Sequence, residues 1–214
     1  MRAFLIVDDH AILRSGLVRM MKAAFPGVFI GEAGDGDEAI RLVATRKWDV
    51  MILDIGLPRR SGLEVLNDVQ RIQPALPVLV LTGLPEDAIA IRVFEAGAMG
   101  YLSKNCAEFD LLTAVRKVLD GGRYLTASIA ERLVINLNKH NQAQNSPGGF
   151  SEIKGRMFDV LLQLGQGNTV KLIAGDMGLS VKTISTYRTR ILGRLHLKSN
   201  ADIVRYCLTR GLTQ

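Results

Sequence analysis

Residues 50–54 read Val-Met-Ile-Leu-Asp, an unbroken run of four apolar side chains followed by a carboxylate. A short apolar run of this kind predicts a strand that is buried on both faces, as in parallel sheets. In open α/β sheets, ligands bind just beyond the carboxyl ends of the strands. Asp54 therefore stands where a functional group is expected, although a lone aspartate at such a place also serves simply to cap the following loop.

Strand and helix patterns alternate five times over residues 1–122. Apolar residues at helical spacing predict five helices; Ile12, Leu13 and Leu17 are assigned to the first, and Ser61 is expected to cap the third. The alternation predicts βαβ units and a five-stranded, doubly wound parallel sheet. The five predicted strands lie at residues 4–7, 28–30, 50–53, 77–81 and 100–103.

Polar side chains follow four of these strands. Asp8 and Asp9 come after the first, Asp54 after the third, Thr82 ends the fourth and Lys104 follows the fifth. In the flavodoxin-like strand order the first, third, fourth and fifth strands are neighbours, so their polar ends converge on one edge. Each residue alone has a purely structural explanation, as a cap, a strand-end threonine or a surface lysine. Together they predict a site.

The chemistry of this set favours phosphoryl transfer to a carboxylate. Closely packed carboxylates repel one another, and Mg²⁺, which prefers a few carboxylates and keeps waters for a phosphoryl partner, relieves that repulsion. A carboxylate can act as the nucleophile and form an aspartyl phosphate. An ammonium and a hydroxyl, here Lys104 and Thr82, are the types of donor that stabilise the charge on such a group.

Charge is distributed unevenly along the 214 residues. Residues 1–122 have a formal net charge of −2, whereas residues 123–214 have a formal net charge of +8. This division predicts two domains, of which the second binds a polyanion. The chain has no apolar run long enough for a membrane span, and its acidic residues Asp8 and Asp9 come too early for a signal peptide. Cys106 and Cys207 indicate neither a disulfide framework nor a zinc site. These features predict a cytoplasmic protein with no membrane partner.

Residues 1–122 resemble the receiver domain of bacterial two-component response regulators. The motifs that carry the resemblance are VDDH at 7–10, LDIGLP at 53–58 with Gly62, LTG at 81–83 and GAMGYLSK at 97–104. The resemblance implies that Asp54 accepts a phosphoryl group from a partner sensor histidine kinase. His10 is interpreted only as a residue at the start of the first helix.

The same resemblance implies a ligand set and a switch. Asp8, Asp9, Asp54 and the backbone carbonyl of Gly56 would hold Mg²⁺. Thr82 and Tyr101 would be the hydroxyl and the aromatic ring that shift when the phosphoryl oxygens require donors, the ring turning inward into the space that the hydroxyl vacates.

Residues 123–149 are predicted to form a helical extension, at 128–137, and then a polar tether that cannot bury a core. Residues 150–214 show only helical patterns. Two short helices meet at a turn that contains Gly178, and Ser180 is placed to cap the second, which runs to about residue 195. Ser199 or Asn200 is expected to cap a last helix. This arrangement predicts a helix-turn-helix domain.

One face of the Ser180 helix is suited to a DNA groove. Small hydroxyls can bond base edges, and lysine or arginine can bind phosphates. Residues 156–197 resemble the C-terminal domain of the NarL/FixJ (LuxR-type) transcription regulators, with the strongest match in KTISTY at 182–187. The residues predicted to bind double-stranded DNA are Lys171, Lys182, Ser185, Thr186, Tyr187, Arg188, Thr189, Arg190 and Arg194.

We therefore interpret the chain as a DNA-binding transcriptional regulator controlled by phosphorylation of Asp54, with phosphorylation promoting a homodimer, release of the DNA-binding domain, or both. The alternative is a phospho-accepting interaction protein, a phosphate sink or adaptor without specific DNA binding. An enzyme of the haloacid-dehalogenase type needs a second acid two residues after the nucleophile. Gly56 occupies that place, so the chain is not expected to be an enzyme.

Overall fold

The structure, a computed structural model, describes residues 1–131, 153, 155–210 and 212–213, with the side chains of residues 87 and 88 excepted. The chain divides into two compact units, Met1–Ala130 and Glu131–Gln214. Within the described part of the chain, none of the helices has both the length and the apolar character needed to cross a membrane.

The first unit is built on a parallel sheet with the order β2-β1-β3-β4-β5. This is the doubly wound α/β fold that the alternating pattern predicts. The strands are β1 Ala3–Val7, β2 Phe29–Ala33, β3 Val50–Leu53, β4 Val78–Thr82 and β5 Gly100–Ser103.

Five helices connect and follow the strands of this sheet. The third begins where the sequence predicts, because the Ser61 hydroxyl accepts a hydrogen bond from the backbone N–H of Glu64 at 3.3 Å. The helices are α1 Ala11–Ala24, α2 Gly36–Thr45, α3 Gly62–Ile72, α4 Glu86–Glu95 and α5 Glu108–Leu119.

The core of the first unit lies against both faces of the sheet, and every residue of β1, β3 and β4 is buried. Leu17 and Met21 pack against this core from α1. Ile12 does not, since its side chain is 91% exposed. The sequence assigns Ile12 to the apolar face of the first helix, but the side chain is not buried. Ile12 is the second residue of α1, and this end of the helix lies next to the carboxyl edge of the sheet, beyond the core.

The chain beyond α5 returns to the open edge of β5. The Tyr124 N–H donates to the Met99 carbonyl at 2.9 Å, and the Tyr124 carbonyl accepts from Tyr101 N–H at 3.4 Å. Thr126 then binds Glu86 of α4 through its hydroxyl at 3.0 Å and accepts from the N–H of Ile129 at 3.2 Å. Residues 127–131 are helical; the rest of the predicted extension and the tether lie outside the described residues.

The described part of the second unit, from residue 155 onward, is helical, as its sequence pattern predicts. Ser180 and Ser199 cap its last two helices by accepting from the N–H groups of Thr183 and Asp202, at 3.0 and 3.2 Å. Short helices joined near Gly178, which has a φ of +61°, form the helix-turn-helix. The helices are α6 Arg156–Gly165, α7 Val170–Asp176, α8 Val181–Arg194 and α9 Asn200–Thr209.

The start of α3 lies directly against the strand end that holds Asp54. A Cβ atom at Gly62 would lie 2.3 Å from the Asp54 carbonyl oxygen and 2.5 Å from the Ile55 Cα atom. Both neighbours are backbone, so they cannot move aside without shifting the strand end. Glycine at residue 62 is therefore required for α3 to pack this closely.

We expect Gly62→Ala to lower the free energy of unfolding of the first unit by about 1–3 kcal/mol, because the added methyl group overpacks this contact. Urea unfolding followed by the fluorescence of Trp48 measures it, since Trp48 is the one tryptophan of the sequence and is buried in this unit. Gly16→Ala is the matched control, because a Cβ atom there meets nothing within 4 Å. Because Gly16 lies in the middle of α1, Gly16→Ala should raise the free energy of unfolding by roughly 0.5–1 kcal/mol. Wild-type stability for Gly62→Ala would contradict the packing argument.

Candidate functional site

The predicted polar strand ends meet at the carboxyl edge of the sheet. Asp8 follows β1, Asp54 follows β3 and Lys104 follows β5, and the sheet order makes β1 the neighbour of β3. The Lys104 ammonium lies 2.6 Å from Asp54 Oδ2 and 2.8 Å from Asp8 Oδ2. Both carboxylates are buried, and a single cation bridges them.

The second oxygen of Asp54 is held by the following loop. Its Oδ1 atom accepts a hydrogen bond from the Gly56 N–H at 3.0 Å. Gly56 itself is exposed, and a Cβ atom there would lie at an ordinary contact distance, 3.5 Å, from the Asp54 carboxylate. The carboxylate is thus oriented by one backbone donor and one ammonium.

Opposing effects act on the Lys104 ammonium. Burial alone would lower its pKa, but hydrogen bonds and charge interactions with Asp54 and Asp8 outweigh burial and raise the pKa above the ordinary value of 10.5. Lys104 therefore carries its charge at neutral pH. A positively charged ammonium beside a buried carboxylate suits a site where negative charge accumulates during a reaction.

His10 also belongs to this cluster, although its sequence position predicts only a helix start. Its Nδ1 atom lies 2.8 Å from Asp9 Oδ1, 3.1 Å from Asp8 Oδ1 and 3.5 Å from Lys104 Nζ. The signal that sequence reasoning left unused is its position directly after the two aspartates, in the short connection from β1 to α1.

Arg14 is a supporting residue that sequence reasoning missed. One helical turn after His10, its Nη1 atom donates to the Asp8 backbone carbonyl at 2.6 Å, and its Nε atom donates to Glu32 at 3.3 Å. It thus ties the turn that carries the acidic pair to the neighbouring strand β2. In the sequence, the only sign of this role is that Arg14 is a cation one helical turn after His10.

The acidic cluster has a donor set that suits a hard divalent cation. Asp8, Asp9, His10 and Asp54 each offer one ligand atom, and these four atoms lie within 4.8 Å of one another. Carboxylate oxygens that are close together and partly open to water match the preferences of Mg²⁺. The residues present therefore fit the ion that the sequence predicts.

Thr82 and Tyr101 meet at the turn that follows β4. The Thr82 hydroxyl is buried and accepts from the N–H of Leu84 at 3.3 Å, while the Tyr101 hydroxyl donates to the Leu84 carbonyl at 2.6 Å. The Tyr101 ring is fully buried in this structure. The expectation that the ring turns inward when Thr82 moves concerns a change on phosphorylation, and it stays a prediction; in this structure the ring is held by the Leu84 carbonyl.

The second candidate region is the exposed face of α8. Lys182, Ser185 and Thr189 are exposed there, while Ile184 and Ile191 are fully buried on the opposite side. The remaining exposed residues of the predicted set are Lys171 on α7 and Thr186, Arg190 and Arg194 on α8.

Two residues of the predicted set are less exposed than the others. Tyr187 and Arg188 are half-buried, and at helical spacing both lie beside Ile184 and Ile191, with Arg188 also next to Ser185. The Arg188 Nε atom donates to the side-chain oxygen of Asn200, which joins α8 to the start of α9. Arg188 thus contributes to packing between the two helices, and DNA contact by Tyr187 and Arg188 stays a prediction.

Comparison with protein families identifies two matching descriptions. Residues 4–116 match the response regulator receiver domain, and residues 155–207 match the bacterial regulatory proteins of the luxR family. Both described units thus have a family counterpart.

Full-length relatives share this organisation. The response regulator GacA of Pseudomonas aeruginosa is 31% identical over 208 residues, which cover 97% of this chain and 96% of the relative. The transcriptional activator protein ExaE of Pseudomonas putida is 33% identical over 211 residues, with 97% and 96% covered.

Solved structures agree with the fold. A LuxR-family two-component response regulator from Aurantimonas sp. SI85-9A1 is 32% identical, has a TM-score of 0.57, and covers 63% of this chain and 96% of its own. The response regulator RcsB of Salmonella typhimurium is 22% identical with a TM-score of 0.75 and covers 98% of this chain and 99% of its own, which is a likeness of fold.

We expect Lys104→Met to lower the free energy of unfolding at neutral pH by on the order of 3 kcal/mol, because it leaves Asp8 and Asp54 buried without their cation. Folding raises the pKa of Lys104 above its ordinary value of 10.5. The stability that the Lys104 ion pairs contribute is therefore fully present below pH 10.5, and it is lost as the pH rises through the pKa of the folded state. The wild-type advantage should therefore persist to about pH 10 and shrink above it. Urea unfolding followed by Trp48 fluorescence across this range measures the difference.

The control for this variant is Lys22→Met, because Lys22 is an exposed lysine of α1. It should change the stability by less than about 0.5 kcal/mol at every pH. Equal effects of the two lysine variants at neutral pH would contradict the role assigned to the Lys104 ion pairs.

Proposed function

This chain belongs to the response regulators that combine a receiver domain with a LuxR-family DNA-binding domain, and we propose that Asp54 is the phosphoacceptor through which its DNA binding is controlled. As a member of that family it is a DNA-binding transcription regulator governed by phosphorylation. The observation that carries the assignment of the residue is the Lys104 ammonium 2.6 Å from the buried Asp54 carboxylate.

In the proposed reaction, one carboxylate oxygen of Asp54 attacks the phosphorus of a phosphohistidine on a sensor histidine kinase. A phosphorus–oxygen bond forms as the phosphorus–nitrogen bond breaks, and the imidazole of the kinase leaves with the electron pair. The Gly56 N–H and the Lys104 ammonium hold the Asp54 carboxylate in a fixed orientation, so little entropy is lost on reaching the reactive geometry.

We assign Mg²⁺ binding to Asp8, Asp9 and Asp54, together with the Gly56 backbone carbonyl. The ion, when bound, supplies positive charge that offsets the repulsion between the carboxylates and an incoming phosphoryl group. Asp9 is exposed and borders the buried pair, so it can bind an ion that remains open to solvent on one side. Lys104, at the end of β5, supplies the second positive charge.

Thr82 is assigned to the phosphoryl oxygens and Tyr101 to the response that follows. A phosphoryl group adds charge and acceptor oxygens, which draw nearby donors towards it. Rotation of the Thr82 hydroxyl towards such an oxygen changes its bond to Leu84 N–H, and Leu84 is also the partner of the Tyr101 hydroxyl. The turn between β4 and α4 is thus the part of the receiver that responds first.

We assign DNA contact to the exposed face of α8. Lys182, Arg190 and Arg194, with Lys171 of the preceding helix, are placed to meet phosphates, and Ser185, Thr186 and Thr189 to meet base edges. The exposure of these side chains and the net charge of +8 over residues 123–214 support this assignment.

We propose that phosphorylation acts by pairing receivers. Two DNA-binding domains that are joined through paired receivers meet DNA at a high effective concentration, which raises affinity without any new contact. Short hydroxyl side chains on the reading face make a single domain a weak binder, so pairing has a large effect. Paired domains would also favour DNA with two half-sites.

The phosphoacceptor assignment predicts that Asp54→Asn gains no phosphoryl group from acetyl phosphate and Mg²⁺, because an amide cannot serve as the nucleophile. Intact-mass spectrometry measures the gain directly. Excess EDTA should prevent labelling of the wild type, because repulsion between carboxylate and donor is then uncompensated. Asp110→Asn, which changes an aspartate on α5 outside the acidic cluster, is the control and should be labelled like the wild type. Labelling of Asp54→Asn to the wild-type extent would disprove the assignment.

The pairing proposal predicts that acetyl phosphate converts the full-length protein from monomer to dimer and raises its affinity for DNA in parallel. Sedimentation velocity measures the first effect, and fluorescence anisotropy on genomic fragments at one stated salt concentration measures the second. Asp54→Asn should show neither change. If phosphorylation raises the DNA affinity while the protein still sediments as a monomer, the result would instead favour release of a DNA-binding helix that the receiver covers. Mass labelling and pairing without any sequence-dependent DNA binding would favour the phosphate sink or adaptor.

A further inference from the structure

Val181 is an exposed apolar residue at the start of α8, the helix whose exposed face is assigned to DNA contact. It is the first residue of α8, and its side chain is 51% exposed. The helix start is well defined, because the Ser180 hydroxyl caps it through the N–H of Thr183. A valine that is half exposed at a rigid helix start gains little from the core of its own domain.

The exposed valine lies in line with two residues of the reading face. Val181, Ser185 and Thr189 are spaced by four residues, so they form one row along α8, and all three are exposed. Lys182, three residues before Ser185, is exposed beside this row. An apolar side chain therefore begins a row that continues with hydroxyls and has a cation at its side.

Two of the three hydroxyls of this face have restricted donor capacity. The Thr189 hydroxyl donates to the Ser185 carbonyl at 3.0 Å, and the Thr186 hydroxyl donates to the Lys182 carbonyl at 2.9 Å. Each hydroxyl has one hydrogen, which is used within the helix, so both present acceptors outward. These two threonines can still accept from base edges but have no hydrogen left to donate to them, which increases the weight of an apolar contact in distinguishing base pairs.

Only one base carries an apolar group on its edge in the major groove, namely thymine with its 5-methyl group. In helix-turn-helix proteins, the N-terminal residues of the second helix contact base edges. We propose that Val181 contacts the 5-methyl group of a thymine in each half-site and thereby makes this protein specific for thymine at that position. The inference rests on the proposed DNA-binding function and names a determinant of its sequence preference.

The test is selection of duplexes from a random pool by the full-length protein after treatment with acetyl phosphate. The wild type should enrich thymine at one position of each half-site. Val181→Ser should reduce the preference for thymine about four-fold, because burying one methyl group changes the affinity by about that factor. The preferences at the other positions should stay unchanged. Leu208→Ser is the matched control, since Leu208 is equally exposed, at 51%, but lies on α9; its selected sequence should equal that of the wild type.

A second measurement uses unaltered protein and so does not depend on the folding of a variant. In the selected duplex, uracil replaces the enriched thymine, which removes only the methyl group. Wild-type affinity should fall about four-fold, whereas the affinity of Val181→Ser should not change. An unchanged wild-type affinity, or the same selected sequence for Val181→Ser and the wild type, overturns the inference alone. Failure of the wild type to enrich any sequence overturns the proposed DNA-binding function and this inference with it.

Discussion

Two buried carboxylates that share one ammonium are the constraint on which the first unit depends. Asp8 and Asp54 come from adjacent strands, and removing both from water is costly unless a cation accompanies them. Lys104 supplies that cation from the end of β5, two strands away from β3. The strand order, the close start of α3 at Gly62 and the raised pKa of Lys104 are all consistent with this single requirement.

The arrangement leaves one side of the acidic cluster able to accept a further charge. Asp9 and His10 border the buried pair and are exposed, so a cation and a phosphoryl group can approach from solvent. On the inner side, Leu84 joins Thr82 to Tyr101. Tyr101 N–H donates to the Tyr124 carbonyl, and Thr126 binds Glu86, so the segment after α5 is bonded to β5 and to the start of α4. The candidate site at the sheet edge and the segment that follows α5 thus share one hydrogen-bond network.

The second unit separates its tasks by residue type. In the proposed DNA interface, cations on α7 and α8 attract DNA without regard to sequence, while the row of Val181, Ser185 and Thr189 would offer one apolar group and short hydroxyls to the groove. The DNA specificity of such a surface depends on where its few contacts lie and on the pairing of two domains. Pairing through the receivers would therefore control DNA binding. Arg188 shows that a basic side chain on the same helix can instead serve packing, since it binds Asn200.

Patterns of apolar residues and strand-end polar residues were enough to predict the parallel sheet, the convergence of Asp8, Asp54 and Lys104, and the Ser180 cap. They determine these features because strand alternation limits the topology and because carboxyl ends of parallel strands meet at one edge. The environment of each side chain was decided only by the tertiary structure. Ile12 matches a helical apolar pattern yet is exposed, and Tyr101 is already buried against Leu84, because periodicity states which residues share a face but not what lies above that face.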